Sequence, residues 1–308
     1  MAQETPPCPL CGSDQSSLFN QDHFLRTLVT NRLCKKCGLV YQSPRISTRE
    51  AEEFHSREYR LQAQAGKQGI NPNELAIQRA RAGTLVGLFA KTVPGVTRHL
   101  DIGCSAGMLM QAFQAAFGCQ TTGVEVDSMF RPYARGQGLQ VYEALEKLPA
   151  GMRFDVISMS HVLEHIPDPV AYLRRLSSDH LEPDGWLYLE VPNLYGHVSF
   201  EIGHMVCFSP HTMRQMLKRA GYRIVRLIRH GRPRSKLIPL YINVIARPAA
   251  ANEARPFPEH GVCLKWVAAR VYRKMCRLLL PRLADLAIPG AVQKDGSKLP
   301  GSSRKDKA

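Results

Sequence analysis

The chain has 308 residues, 44% of them hydrophobic, with 41 Lys and Arg against 26 Asp and Glu for a formal net charge of +15. That length can bury a full α/β core and carry a small accessory module, and the composition excludes a fibrous, low-complexity or wholly disordered chain. No apolar run is long enough to span a bilayer and residues 1–7 lack the basic and apolar parts of a signal peptide. A cytoplasmic protein is therefore expected, with its nine cysteines serving as metal ligands and free thiols rather than disulfides.

Residues 1–45 read as a separate module. Cys8-Pro-Leu-Cys11-Gly12 and Cys34-Lys-Lys-Cys37-Gly38 are two C-x-x-C pairs with 22 residues between them. Each pair presents two sulfurs at the spacing that tetrahedral zinc requires, and the following glycine frees the turn so that backbone amides can point at a thiolate. Cys8, Cys11, Cys34 and Cys37 are the expected ligands of a structural Zn²⁺. Four cysteines close the coordination sphere, so the metal should supply folding energy to a segment too short for its own core, and no chemistry.

Residues 46–97 read as a polar, helical bridge. Asn71-Pro72 offers a cap followed by proline at the first helical position, and Leu75, Ala82, Leu85, Val86 and Phe89 fall on one helical face. Gln78 and Arg79 interrupt that stripe, and Pro94-Gly95 is expected to end it.

Residues 98–248 alternate strand and helix, with apolar runs at 98–102, 121–126, 154–159, 186–191, 223–228 and 241–246. That order argues a mainly parallel sheet covered on both faces. Asp168-Pro169 and Ser209-Pro210 mark two helix starts, and Gly221 a helix stop. The richest signal is Asp101-x-Gly103-x-Ser105-x-Gly107 between the first run and a helix at 108–117, with Glu125 on the next run. This is the layout of a nucleotide-binding βαβ unit, in which a carboxylate at the second strand tip can accept from both ribose hydroxyls. The acid before the first glycine would repel a pyrophosphate but suits a cationic amino-acid end, which favours S-adenosylmethionine (SAM) over NAD. Ser105 stands where a third glycine would be usual, and fits if its φ is negative.

Residues 249–290 form a basic appendage. From Ala249 onward there are 12 Lys and Arg against 5 Asp and Glu. Leu264, Val267, Val271, Met275 and Leu278 share one helical face, and Arg270, Arg273, Lys274 and Arg277 lie on another. Packing onto the protein or a second subunit, lying on an anionic membrane surface through residues 262–280, and contact with RNA are three readings of that helix. The second would make the protein peripheral at the inner membrane face. Residues 291–308 are polar and Gly/Ser/Lys-rich, and read as a disordered tail.

Together, these motifs resemble the class I SAM-dependent methyltransferases, in the branch that carries an N-terminal four-cysteine zinc ribbon and includes sugar C-methyltransferases. The resemblance runs over residues 5–250 and rests on the two knuckles, the 101–107 turn, Gly123-Val-Glu125, Phe154 to Pro169 and Leu181 to Pro192. It implies a doubly wound, mostly parallel seven-stranded sheet of Rossmann-like type whose last two strands pair antiparallel. It also implies that Asp101 helps hold the methionine moiety, that Gly103, Ser105 and Gly107 pack against the ligand, and that Glu125 holds the ribose.

Candidate chemistry follows the 154–159 run, whose C-terminal tip should face the ligand crevice. Ser160 is placed to touch the cofactor. His161-Val-Leu-Glu164-His165 matches the pattern of inverted zinc peptidases, but Pro167 and Pro169 leave too little helix for that site. Ubiquinone-type O-methyltransferases are similar here with an acid at the position of His161, a set able to hold a divalent ion; the histidine weakens that reading. His161, His165 and His204 are the acid/base candidates, His204 because sugar C-methyltransferases of the resembling branch use a Glu-His pair there, although Gly203 stands in place of the acid. Tyr188, Asn193 and Tyr195 are candidate pocket residues, while Cys104 reads as a small packed side chain. The expected activity is SAM-dependent O- or C-methylation of a small metabolite, sugar or glycan. The alternatives are an RNA methyltransferase and a non-catalytic SAM-fold binding protein. No Asn-Pro-Pro-Tyr-type motif and no dense basic-aromatic segment outside the tail supports RNA.

Overall fold

The computed structural model describes residues 3–24, 27–46, 70–197, 200–252 and 255–289. The expected tail at 291–308, and most of the expected bridge before residue 70, lie outside the described residues.

In chain order, β1 (Gln3–Glu4), β2 (Ser16–Phe24), β3 (Thr27–Cys34), β4 (Val40–Gln42) and β5 (Arg45–Ile46) precede α1 (Pro72–Phe89). Then follow β6 (Arg98–Ile102), α2 (Met108–Phe117), β7 (Gln120–Val124), α3 (Phe130–Gly136), β8 (Gln140–Tyr142), β9 (Phe154–Ser160), α4 (Pro169–Asp179) and β10 (Leu181–Pro192). The chain closes with β11 (Val206–Cys207), α5 (Pro210–Arg219), β12 (Tyr222–His230), β13 (Tyr241–Pro248), α6 (Val262–Leu279) and α7 (Pro281–Ala284).

Seven strands form one sheet in the order β12-β13-β10-β9-β6-β7-β8. The pairs among β10, β9, β6, β7 and β8 are parallel, whereas β13 runs antiparallel to both β10 and β12. The fold is the expected α/β, Rossmann-like methyltransferase sheet. Strand order reverses between β6 and β9, and a crevice at such a switch point, outside the carboxyl ends of the strands, is where a ligand binds. Strand β8 carries no apolar run and escapes the sequence pattern, because three residues with one buried position are too short for a period.

Helix caps follow local chemistry. The Asn71 side chain accepts from the Asn73 N–H, Asp168 from Ala171, and Ser209 from Thr212 in a reciprocal capping box. Helix α1 buries Ala82, Leu85, Val86 and Phe89, and Phe89 packs on Phe113 of α2 with ring centroids 5.2 Å apart. It stops at Phe89, before Pro94-Gly95, with Ala90 as its cap.

The N-terminal module is not a free appendage. Strand β4 pairs antiparallel with β11, so the order β11-β4-β3-β2 places a strand from the second half of the chain at the edge of the ribbon sheet. Buried Leu10, Leu39 and Tyr41 share one apolar core with Phe208, Met213 and Leu189.

Candidate active site

The cofactor turn leaves β6 at Asp101 and enters α2 at Gly107. Gly103 has φ +70°, and a Cβ there would lie 2.4 Å from Val162 Cγ2, so only glycine lets the turn seat against the segment that follows β9. Ser105 also has a positive φ, +49°, which corrects the expectation of a negative one. Its surroundings hold it there: Ser105 N–H donates to Glu125 Oε2 at 2.7 Å, and Gln78 Nε2 donates to Ser105 Oγ at 3.0 Å. Gln78 is one of the polar residues that interrupt the α1 stripe; its side chain serves the turn instead of the core.

Glu125 is buried at the end of β7, where its other oxygen accepts from Asp127 N–H at 2.8 Å. Each carboxylate oxygen has a second lone pair, so the geometry fits acceptance from a ribose diol as well. Asp101 is 2% exposed and accepts from Ser158 Oγ at 2.6 Å, while Ser158 Oγ lies 2.7 Å from His99 Nε2. Burial raises the Asp101 pKa to about 7, the Ser158 bond opposing and the Glu125 charge adding to the shift. Burial holds His99, stacked on Phe113 at 3.9 Å, down at about 3, so the ring is neutral. Two inward carboxyls beside a glycine turn are a donor set that fits a cationic, ribose-bearing ligand. Asp101 and Glu125 would hold the two ends of SAM, which supplies an electrophilic methyl group when bound.

The segment touching Gly103 carries the second cluster. His161 follows β9 directly and has φ +58°, the other non-glycine residue with positive φ among the described residues. Its Nδ1 lies 3.4 Å from Glu164 Oε1 and its Nε2 3.4 Å from Glu190 Oε1. Both acids are 1% exposed. Burial would raise each of them, yet His161 and the charged groups around them hold both at about 2: His165 and His204 for Glu164, His230 and Arg81 for Glu190. Neither oxygen of Glu164 has a hydrogen-bond partner among the described residues. His230 Nε2 is 3.0 Å and Arg81 Nε 3.5 Å from Glu190, and Arg81 sits over the fully buried Tyr241 ring at 5.2 Å.

His165 Nδ1 donates to Gly203 O at 2.7 Å, and its ring lies 4.9 Å from that of His204. The three histidine candidates thus converge on Glu164. One ligand atom each from Glu164, His165 and His204 falls within 4.8 Å of the others. This group could hold a divalent ion; His161 is not part of it. His204 finds its acid at Glu201, 3.7 Å away, in place of the missing neighbour at 203. Ser160 Oγ points to Glu190 Oε1 at 3.5 Å, not into the turn.

Glu190, His230 and Arg81 have no motif of their own, and sequence reading missed them. Glu190 stands in an apolar strand, where a lone acid is the one available signal. Tyr188 is core, its hydroxyl donating to Leu85 O. Asn193 braces the loop through Pro239 O, and Tyr195 donates to Glu259. Burial pushes the Cys104 thiol up, which suits a packed residue and not a nucleophile.

In the N-terminal module the four knuckle sulfurs lie within 4.8 Å of one another, with Cys8–Cys37 and Cys11–Cys34 each at 3.5 Å. Hydrogen bonding to Cys11 and Cys34, and then burial, push the Cys8 and Cys37 thiols up. Four sulfurs at this separation are a tetrahedral, thiolate donor set that fits zinc.

The family model described as a methyltransferase domain matches residues 75–227, just under half of the chain. Residues 75–227 thus carry the sequence pattern of a methyltransferase domain. Over 133 residues the chain is 32% identical to the ubiquinone biosynthesis O-methyltransferase of Bordetella pertussis, covering 40% of this chain and 51% of that one. It is 34% identical over 113 residues to the enzyme of the same name from Xanthomonas axonopodis pv. citri, covering 34% and 46%. The chain therefore spans about half the length of the curated relatives it matches. The 1,6-didemethyltoxoflavin-N1-methyltransferase of Burkholderia thailandensis, solved with S-adenosylhomocysteine, superposes with a TM-score of 0.53 at 18% identity over 75% of this chain and all of that one, and so shares the fold of the methyltransferase domain.

Proposed function

We propose that the whole chain is a SAM-dependent methyltransferase that methylates a hydroxyl of a small metabolite or sugar, with His161 taking the acceptor's proton. The observation that carries this reading is the cluster of half-buried His161 with buried Glu164 and Glu190, pressed against the cofactor turn through Val162 and Gly103. Asp101 and Glu125 would hold the cofactor, which would supply an electrophilic methyl group beside the 161–165 segment. An imidazole between two carboxylates is held in orientation. His165 and His204 line the same cluster and share the negative field of Glu164. The similarity to O-methyltransferases acting in ubiquinone biosynthesis supports oxygen as the methylated atom. At the N-terminus, Cys8, Cys11, Cys34 and Cys37 hold a structural Zn²⁺, and residues 1–45 form a ribbon whose sheet braces the loop that carries His204.

Purified protein and methyl-labelled SAM, incubated separately with small metabolites, envelope glycans and RNA, test the reading. Label should enter the metabolite or glycan fraction. Label in RNA alone would overturn it. In the responsive fraction, His161→Asn should lower kcat by about 10²–10⁴ and leave SAM affinity unchanged. Asparagine tolerates positive φ, so the backbone is kept.

A further inference from the structure

Helix α6 has two apolar faces, and the fold uses one of them. Val262 and Cys276 are buried, and Trp266, Ala269 and Arg273 are half-buried, so positions spaced 4, 3, 4 and 3 residues apart form its inward face. Trp266 packs edge-on against Phe19 of β2 at 5.3 Å, and Arg273 Nη1 donates to Gly196 O at 2.6 Å. Leu264, Val267, Val271, Met275 and Leu278 lie on the opposite side and all are exposed, Leu264 by 77% and Leu278 by 72%. The apolar face singled out in the sequence, for which the protein body, a second subunit, a membrane and RNA are the readings, therefore faces away from the protein body.

Nine of the fifteen exposed large hydrophobic residues among the described residues fall between Leu264 and Leu283. A contiguous patch of that kind marks an interaction surface. Its charge selects the partner. Helix α6 contains Lys265, Arg270, Arg273, Lys274 and Arg277 and no Asp or Glu. Lys274, Arg270 and Arg277 are exposed along one flank of the stripe, as 100° per residue requires. Leu279 and Tyr272 widen the stripe on its other side.

We propose that the outward face of α6 docks on an anionic lipid surface, its Leu, Val and Met side chains entering the headgroup boundary while Lys274, Arg270 and Arg277 meet the lipid phosphates. The geometry is that of an in-plane amphipathic helix, anchored to the body of the protein by its other face. A second copy of this chain would have to bring a second row of the same cations against the first, which charge disfavours. The anchoring bond to Gly196 ties the inward face of the helix to the loop beside His197 and Tyr241.

Flotation of the full chain with phosphatidylglycerol-containing vesicles and with pure phosphatidylcholine vesicles decides the matter. Binding should appear with the anionic vesicles and weaken as salt is raised. Lys274→Glu combined with Val271→Ser, both on the exposed face, should weaken it by about thirtyfold or more without lowering the melting temperature. Absence of flotation with anionic vesicles, or binding indifferent to that double substitution, would overturn the proposal. So would sedimentation showing a dimer that the double substitution splits, or retention on RNA with none on vesicles.

Discussion

Asp101 is a carboxyl whose burial and function pull in opposite directions. Its folded pKa of about 7 stands above its ordinary value of 3.8, so the native state binds the proton more tightly than the unfolded chain. The stability of the ligand-free protein is then complete at low pH and falls as pH rises through that window, by on the order of 4 kcal/mol. A cation bound beside the carboxyl lowers the pKa again. The rise in melting temperature on adding SAM should therefore be larger above pH about 7 than below it, and Asp101→Asn should abolish that difference. A SAM-induced shift that is flat with pH in the native protein would remove Asp101 from the cofactor site. The two strained residues, Ser105 and His161, bracket the same crevice, and each positive φ costs about 1–2 kcal/mol that the surrounding bonds must offset. Gln78 and Glu125 supply those bonds for Ser105. Nothing in the identity of residue 105 announces its φ, because the stabilising partners come from α1 and β7.

Elements were legible in the sequence where they are long and periodic. Strand β6 and helix α2 have the bounds that the apolar pattern gives, and the caps at Asn71, Asp168 and Ser209 are where a polar side chain precedes proline. The breaks in pattern turned out to be as informative as the pattern. Of the two residues that interrupt the α1 stripe, Gln78 reaches Ser105 while Arg79 is exposed, so one of the two breaks marks where the helix turns from packing to the site. What the sequence could not show is long-range pairing. Two-residue β11 has no propensity signal, yet it pairs with β4 of the ribbon sheet, where the Gln42 side chain bonds Glu201 O, 159 residues away. That pairing fixes the loop containing His204. Gln42→Ala should accordingly cost about 0.5–1.5 kcal/mol, since it removes one bond to Glu201 O, which keeps the His204 N–H. Acceptor KM should rise while SAM affinity stays unchanged. A change in SAM affinity equal to that in acceptor KM would show that the ribbon braces the whole domain rather than the acceptor loop.

At the scale of the whole molecule, ribbon, sheet and basic helix meet at few places, and those places are strongly coupled. Glu259 is the clearest: its backbone N–H donates to Cys37 O, and its carboxylate accepts from Tyr195 and Ser209 and pairs with Lys265 of α6 at 3.1 Å. A Cβ on Gly38 would lie 2.7 Å from Glu259, so the second knuckle is shaped to receive this segment. The apolar core also runs without a break from Leu10 and Leu39 into Leu189 and Met213. A metal that folds the knuckles therefore stabilises more than the first 45 residues. If Cys8, Cys11, Cys34 and Cys37 hold zinc, native protein should release one equivalent of zinc on denaturation. Chelation should then shift the entire calorimetric unfolding transition to lower temperature as one peak, because the ribbon cannot unfold and leave Phe208, Met213 and Glu259 with their contacts. A separate low-temperature peak, with the main transition unmoved, would mean that the ribbon folds independently in spite of the shared core. An unchanged single peak in metal-free protein would refute the structural site altogether.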